Sequence, residues 1–225
     1  MKKQVVVIGL GRLGQSLAKT LSSIGHEVLA IDSKEEFVQE IAPFVTQAIQ
    51  VDPTDESALR ELGIKNFDVA VIALPEIEEN LLSTLILKKV GIRYVIGRAI
   101  NELHGTILER IGADKVVYPE RDMGEGLAYV LTLGNIIDYI PVTSEYGVVK
   151  VSVPAYLIGK SLTEAGFGHY GRWEVIVLIL QRKNDIILSP SATEVIKSED
   201  VLVVSGSWDK LEQLFTHIQH PPEKE

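Results

Sequence analysis

The chain has 225 residues, enough for one large domain or two small ones. It contains no cysteine, which excludes disulfides, thiol catalysis and thiolate metal sites. The formal net charge of −9 argues against nucleic acid as a partner, because a nucleic-acid binder presents a basic face. No apolar run approaches the ~20 residues that span a bilayer. No signal peptide precedes the first predicted strand, so we expect a cytoplasmic protein.

A glycine motif near the start of the chain organises its first half. Residues 5–8 predict a buried strand, and Gly9, Gly11 and Gly14 follow with the spacing Gly-x-Gly-x-x-Gly. Apolar residues then continue at helical period. In such a motif the first glycine allows a tight turn, the second lets a phosphate approach the backbone, and the third lets the helix pack on the strand. The helix N-terminus adds free amides and a partial positive charge.

An acidic residue completes this motif. A second predicted strand, residues 27–31, ends in Asp32, about 20 residues beyond the glycines, where a carboxylate accepts hydrogen bonds from ribose hydroxyls. Strand, turn, helix and acid together predict adenine-nucleotide binding. The alternative is a glycine turn kept only for packing, which explains Gly14 but not Asp32.

Strand and helix alternate six times within the first ~120 residues, which predicts a parallel sheet covered on both faces. The Rossmann strand order 3-2-1-4-5-6 is the default for this pattern, with ligand across the carboxyl ends of the strands. Five features fall on that edge: Asp32, Asp52, the turn at residues 73–75, Arg98 and Glu120.

The second half of the chain follows a different pattern. Residues 123–139 carry an apolar stripe at helical spacing, interpreted as a linker helix or subunit contact; the alternative is a seventh helix of the Rossmann domain. Strands and helices then stop alternating, which predicts a small α+β unit. We therefore expect a nucleotide-binding domain over 1–137, a small α+β domain over 138–220 and a tail over 221–225.

The sequence lacks the constellation of an enzyme. A dehydrogenase needs an acid or base beside the nicotinamide, and no histidine pair has metal-ligand spacing. No nucleophile motif is present either. We therefore predict a binding protein rather than a catalyst. An NAD(H)-binding redox sensor or a small NAD-dependent oxidoreductase is the alternative, because Asp32 favours NAD over NADP.

Four segments resemble the RCK regulatory subunits of Trk/Ktr potassium transporters. They are residues 7–14, the acidic turn 52–55, the block Ile-Gly-Ala-Asp at 111–114, and Pro-Glu-Arg-Asp-Met-Gly at 119–124. The resemblance implies a cytoplasmic, non-catalytic protein that lies at the inner face of the membrane. It implies homodimers that assemble into an octameric ring on a membrane-embedded potassium-translocating subunit. ATP and ADP would compete for the Rossmann site and gate the flux of ions, and some members bind NAD(H).

The resemblance also assigns roles to residues. Arg12 would reach the phosphates, Asp32 the ribose and Asp52 the adenine side, while Glu120 would help hold a divalent cation or Na⁺ between subunits. The residue types leave alternatives: a solvated surface arginine, an Asx turn at Asp52, and a helix-start acid at Glu120. The nucleotide-binding set predicted here is Gly9, Gly11, Arg12, Leu13, Gly14, Asp32, Ser33, Asp52, Ala73 and Arg98.

The C-terminal unit resembles the regulatory RCK-C (TrkA-C) domain of the family, and the stripe over 127–137 resembles its crossover helix. The C-terminal domain departs from one pattern of the family. Members that bind cyclic-di-AMP there carry an arginine and an asparagine, which correspond here to His169 and Val175. Arg172 is the candidate that would substitute for the missing arginine.

Overall fold

The computed structural model describes residues 2–132 and 136–219. The chain divides into two compact units, Met1–Arg121 and Asp122–Glu225. Within the described residues, no helix is both long enough and apolar enough to cross a bilayer.

The first unit is built on a six-stranded parallel sheet with the order β3-β2-β1-β4-β5-β6, which confirms the predicted Rossmann topology. The central strand pairs with two neighbours, and Ile8 lies opposite both Ile31 and Ile72. The elements are β1 (Gln4–Ile8), α1 (Arg12–Ser23), β2 (Glu27–Asp32), α2 (Glu35–Ile41), β3 (Gln47–Gln50), α3 (Glu56–Glu61), β4 (Val69–Ile72), α4 (Ile77–Val90), β5 (Val95–Arg98), α5 (Glu102–Arg110) and β6 (Lys115–Val117). Helix α6 (Pro119–Thr132) begins at the end of this unit, and most of its residues belong to the second unit.

Both faces of this sheet are buried, as a parallel sheet requires. Val5 and Val7 belong to one core cluster with α1 and α2, whereas Val6 and Ile8 belong to another with α3 and α4. Successive side chains of a strand point to opposite faces of the sheet, so the continuous apolar run of β1 packs into two different cores. The sequence offers Asp55 or Thr54 as the cap of α3, and the structure has Asp55, whose carboxylate accepts from two amides of the first turn at 2.9 and 3.1 Å.

The buried face of α4 differs from the one that the sequence suggests. The leucine stripe of this helix predicts an inward apolar face, but Leu82 and Leu85 are 42% and 50% exposed. The residues that face the sheet include the polar Asn80, Ser83 and Thr84, which are fully buried. Apolar residues lie on both sides of this helix, so periodicity alone does not identify its inner face.

The second unit is built on a five-stranded sheet with the order β10-β9-β11-β8-β7, in which neighbouring strands are antiparallel. The last helix packs on it through Leu211, Leu214 and Phe215, all fully buried. The elements are β7 (Ile136–Pro141), β8 (Tyr146–Ser152), β9 (Ile176–Arg182), β10 (Asp185–Leu188), β11 (Asp200–Ser207) and α7 (Trp208–Gln219).

An ion-pair network fixes the segment before β11 in this unit. The Arg182 guanidinium donates to both carboxylate oxygens of Asp200 at 2.9 and 2.9 Å and to Glu194 at 3.0 Å. Asp200 is 1% exposed. Burial alone would raise the pKa of Asp200, but the bonds from Arg182 and from the Lys197 amide outweigh it, so this pKa is lowered.

The helix predicted over residues 123–139 is wrong at both ends. Helix α6 begins at Pro119, and Ile136 opens strand β7. Residues 136–140 are rich in isoleucine, which favours a strand over a helix. The predicted tail, 221–225, lies outside the described residues.

Candidate nucleotide-binding site

The predicted site residues come together at one edge of the first sheet. Strand β1 ends just before Gly9, β2 ends at Asp32, β4 ends just before Ala73 and β5 ends at Arg98. Because all six strands are parallel, these ends share an edge. Strands β2 and β3 lie on one side of β1 in the sheet, and β4 lies on its other side, so the order of the strands reverses at β1. The crevice beside such a switch point is where open α/β sheets bind ligands.

The glycine turn between β1 and α1 is fixed by its packing. Gly9 has φ of +90°, and a Cβ there would lie 2.9 Å from the backbone nitrogen of Leu74. A Cβ on Gly14 would overlap the carbonyl oxygen of Gly9. Gly11 is different, because a Cβ there would meet no atom within 4 Å. Gly9 and Gly14 therefore serve the turn itself, whereas Gly11 leaves open space in front of the backbone.

The N-terminus of α1 faces this space with its charge uncompensated. Gly11 is the capping position, no side chain caps the helix, and its first turn holds no acidic residue. Arg12 is the first helical residue, is exposed, and makes no hydrogen bond or ion pair with any residue that the structure describes. Leu13 follows and is half-buried. Such a helix start attracts anions, and a free guanidinium adds planar donors that match phosphate oxygens.

Asp32 lies beside the glycine turn and is 7% exposed. One carboxylate oxygen accepts from the Leu10 amide at 2.6 Å, and the other accepts from the Lys34 amide at 2.9 Å. The side chain thus ties the end of β2 to the turn after β1, and each oxygen retains lone pairs for ribose hydroxyls. Ser33 is exposed at the same strand end. It does not cap α2, whose capping position is Lys34.

Asp52 forms an Asx turn, which the sequence left as an alternative. It is exposed, and one oxygen accepts from the Thr54 hydroxyl at 2.6 Å and from the Thr54 amide at 2.8 Å. The hydrogen bond from the Thr54 hydroxyl and, to a smaller extent, that from the Thr54 amide lower the pKa of Asp52. The carboxylate is therefore charged at neutral pH. The carboxylate stands beyond β3, on the β2 side of the switch point.

Arg98 and Glu120 pair with each other. The Arg98 guanidinium donates to the Glu120 carboxylate at 2.5 Å, and Glu120 is the second residue of α6. The Arg98 side chain is 17% exposed and that of Glu120 is 63% exposed. Among the described residues, no group of three or more His, Asp or Glu side chains could hold a metal ion. A cation at Glu120 would therefore need ligands from a nucleotide or a second chain.

One buried residue of the crevice escaped the sequence analysis. Asn80, on α4, donates from its side-chain amide to the carbonyl oxygens of Leu74 and Arg98, both at 3.0 Å. A buried asparagine beside a leucine stripe has no sequence signature. The signal that could have indicated Asn80 is its position: it is a polar residue in the first turn of a helix that follows a turn at the edge of the sheet.

In the second unit, the positions compared with cyclic-di-AMP binders have different surroundings. His169 is exposed, whereas Val175 is fully buried in the core. Arg172 stacks over the Trp173 ring at 4.5 Å, beside a cavity of about 360 Å³. Val175 therefore offers no side chain to a ligand at the surface.

Two families of domain match the chain in sequence. Residues 5–119 match the TrkA-N domain and residues 148–219 match the TrkA-C domain. The chain is 38% identical over 221 residues to Ktr system potassium uptake protein C of Bacillus subtilis (strain 168), covering 98% of this chain and 99% of that protein. It is also 38% identical over 205 residues to Ktr system potassium uptake protein A of the same organism, covering 91% of each.

A solved structure, the GsuK channel bound to NAD, has the same fold. The TM-score is 0.68 at 19% identity, covering 100% of this chain and 41% of that one, so the chain spans about two fifths of the channel polypeptide. The resemblance drawn from the motifs is confirmed by the domain matches and the Ktr relatives. The chain belongs to the RCK family of TrkA- and KtrA-type regulatory subunits.

Proposed function

We propose that the chain is the nucleotide-binding gating subunit of a Ktr- or Trk-type potassium uptake system. The single observation that carries this proposal is the glycine turn at the switch point, with open space before Gly11 and beside it the guanidinium of Arg12, which is unpaired among the described residues. Two potassium uptake proteins at 38% identity support the transport role. The chain itself would regulate transport and catalyse no reaction.

In this proposal the phosphates lie on the turn, where they contact Gly9, Gly11 and the first residues of α1. Asp32 and Ser33 hold the ribose, Asp52 lies on the adenine side, and Ala73 forms the wall. Gating requires that ATP and ADP favour different conformations, because a ligand shifts an equilibrium only through differential affinity. Arg12 supplies that difference if it contacts the γ-phosphate, since charge-assisted guanidinium–phosphate bonds are strong and directional.

NAD(H) is the second candidate ligand. Asp32 is the acid that dinucleotide sites use for the ribose, and the GsuK channel that shares the fold is described as bound to NAD. Under this alternative the chain is a redox sensor. The nicotinamide nucleotide of NAD(H) would lie in the crevice beyond the end of β4. A tighter complex with NADH than with ATP would favour this alternative.

A cation at Glu120 would be bound only together with the nucleotide. In the chain alone, Arg98 pairs with one oxygen of Glu120 and so competes with a divalent ion or Na⁺ for this carboxylate. Nucleotide phosphates that recruit Arg98 would release Glu120 for the cation. Cation binding and nucleotide binding are then linked, and each strengthens the other.

Assembly into homodimers and an octameric ring is supported by exposed apolar side chains. Leu82 and Leu85 on α4 and Leu103 on α5 are 42%, 50% and 72% exposed, and Leu127 and Leu131 on α6 are 53% and 81% exposed. Large apolar side chains exposed on a protein surface are typical of protein interfaces when they form patches. The ring would dock on the inner side of a membrane-embedded potassium-translocating subunit. We expect no cyclic-di-AMP binding at the C-terminal domain, because Val175 is buried.

The experiment measures potassium flux into proteoliposomes that hold a Ktr-type membrane subunit. We expect the added chain to change the flux differently with ATP and with ADP. Arg12→Ala should abolish this difference. Arg93→Ala is the matched control, since this exposed arginine precedes β5 at the opposite edge of the sheet. Flux that is the same with and without the chain would overturn the proposal.

A further inference from the structure

Asn80 occupies an unusual position just beyond the paired part of two central strands. The ladder between β4 and β5 ends at Ile72 and Gly97. Past that point, the Asn80 amide donates one hydrogen to the carbonyl of Leu74 and the other to the carbonyl of Arg98. A single fully buried side chain therefore continues the connection between two strand ends where backbone pairing has stopped.

The orientation of this amide is determined by its bonds. The Nδ2 group uses both hydrogens, whereas Oδ1 is buried and has no hydrogen-bond partner among the described residues. A flipped amide would point its oxygen at two carbonyl oxygens, which repel it. An unpartnered buried acceptor costs free energy, and an apolar side chain of similar size would avoid that cost. We therefore interpret the asparagine as the residue that fixes the positions of the Leu74 and Arg98 carbonyls.

Each of these two carbonyls belongs to a segment of the candidate site. Leu74 lies directly behind the glycine turn, since a Cβ on Gly9 would be 2.9 Å from its backbone nitrogen. Arg98 carries the guanidinium that pairs with Glu120 in the first turn of α6. Among the described side chains, Asn80 alone donates both to the backbone of Leu74, behind the glycine turn, and to the backbone of Arg98.

We propose that Asn80 is a positioning residue for phosphate binding, which sets the distance between the glycine turn and the Arg98 guanidinium. The inference rests on the proposed nucleotide-binding function and deepens it. Asn80 touches no ligand in this account. It acts through the backbone at Leu74 and Arg98, so its effect appears only for ligands whose phosphates reach both segments.

The first test compares Asn80→Leu with Thr84→Val by calorimetric titration with ATP and with adenosine. Thr84 is the matched control, because it is equally buried on α4 and its hydroxyl donates only to the Asn80 carbonyl within the same helix, at 2.8 Å. We expect Asn80→Leu to weaken ATP binding about tenfold, as the loss of one aligned charged contact would. Adenosine binding should stay unchanged, and Thr84→Val should bind both ligands like the wild type.

Titrations are performed at a temperature at which circular dichroism shows both variants folded. The second test is a double-mutant cycle with Arg98→Gln. If Asn80 acts through Arg98, the effect of Asn80→Leu on ATP binding should largely vanish in the Arg98→Gln background. A folded Asn80→Leu chain that binds ATP like the wild type would overturn the inference, as would additive effects in the cycle. A wild-type chain that binds no nucleotide would instead refute the proposed function.

Discussion

Substitution by alanine should have different consequences at Gly14 and at Gly11 of the glycine turn. Gly14→Ala places a Cβ on the Gly9 carbonyl oxygen, and Gly9 has little room to retreat because Leu74 lies behind it. Gly11→Ala places a Cβ in open space at φ of −68°, a conformation that alanine adopts freely. The first change should therefore damage the fold, whereas the second should damage ligand binding alone.

The magnitudes follow from the packing. Overpacking costs about 1–3 kcal/mol or more, and the immobile backbone around Gly14 puts this site at the upper end. The better helix propensity of alanine returns about 1 kcal/mol. We expect Gly14→Ala to lose roughly 2 kcal/mol of unfolding free energy, a drop of roughly 8 °C in Tm for the first unit. At Gly11 the capping loss of a few tenths of a kcal/mol and the gain from a less flexible unfolded chain, about 0.4–1 kcal/mol, nearly cancel.

The assays are thermal melting by circular dichroism and calorimetric titration with ATP. Gly11→Ala should melt within about 3 °C of the wild type and bind ATP at least about tenfold more weakly, a loss of ~1.4 kcal/mol. A Gly14→Ala chain that melts like the wild type would refute the packing argument. A Gly11→Ala chain that binds ATP normally would show that the phosphates lie elsewhere.

Three further predictions concern stability. Asp200→Ala leaves the Arg182 guanidinium without its buried partner and should destabilise the second unit by about 3 kcal/mol, measured by urea unfolding, with unchanged ATP binding. Burial lowers the pKa of His104 in the folded chain, so stability is complete above the usual histidine pKa of about 6.5 and falls as the pH drops below it. His104→Leu should flatten that dependence of Tm between about pH 7.5 and 5.5. Asp55→Ala removes the cap of α3 and should cost about 1 kcal/mol in the same urea assay.

Local signals in the sequence were sufficient for the order of elements and the sheet topology of the first unit. The change from a continuous apolar run to helical period around Gly9 and Gly14 predicts strand, turn and helix, and the alternation of elements predicts the sheet order. Both are confirmed by the structure. Asp55 was predictable for the same reason, because capping depends on residues two and three positions away.

Contacts between distant segments were beyond the reach of sequence reasoning. Arg98 and Glu120 are 22 residues apart, and their pairing depends on how β5 and α6 meet. Asn80 bonds to a carbonyl 18 residues away, so its role appears only in three dimensions. The binding roles assigned to the site residues, from Gly9 to Glu120, stay predictions.

The central claim is that Arg12 distinguishes ATP from ADP at the glycine turn. The most direct test is calorimetric titration of the purified chain with ATP, ADP, AMP, NAD and NADH, with and without magnesium, repeated on Arg12→Ala. We expect ATP and ADP to bind more tightly than NADH, and Arg12→Ala to weaken ATP binding more than ADP binding. Tighter binding of NADH than of either nucleotide, or equal weakening of ATP and ADP, would contradict it.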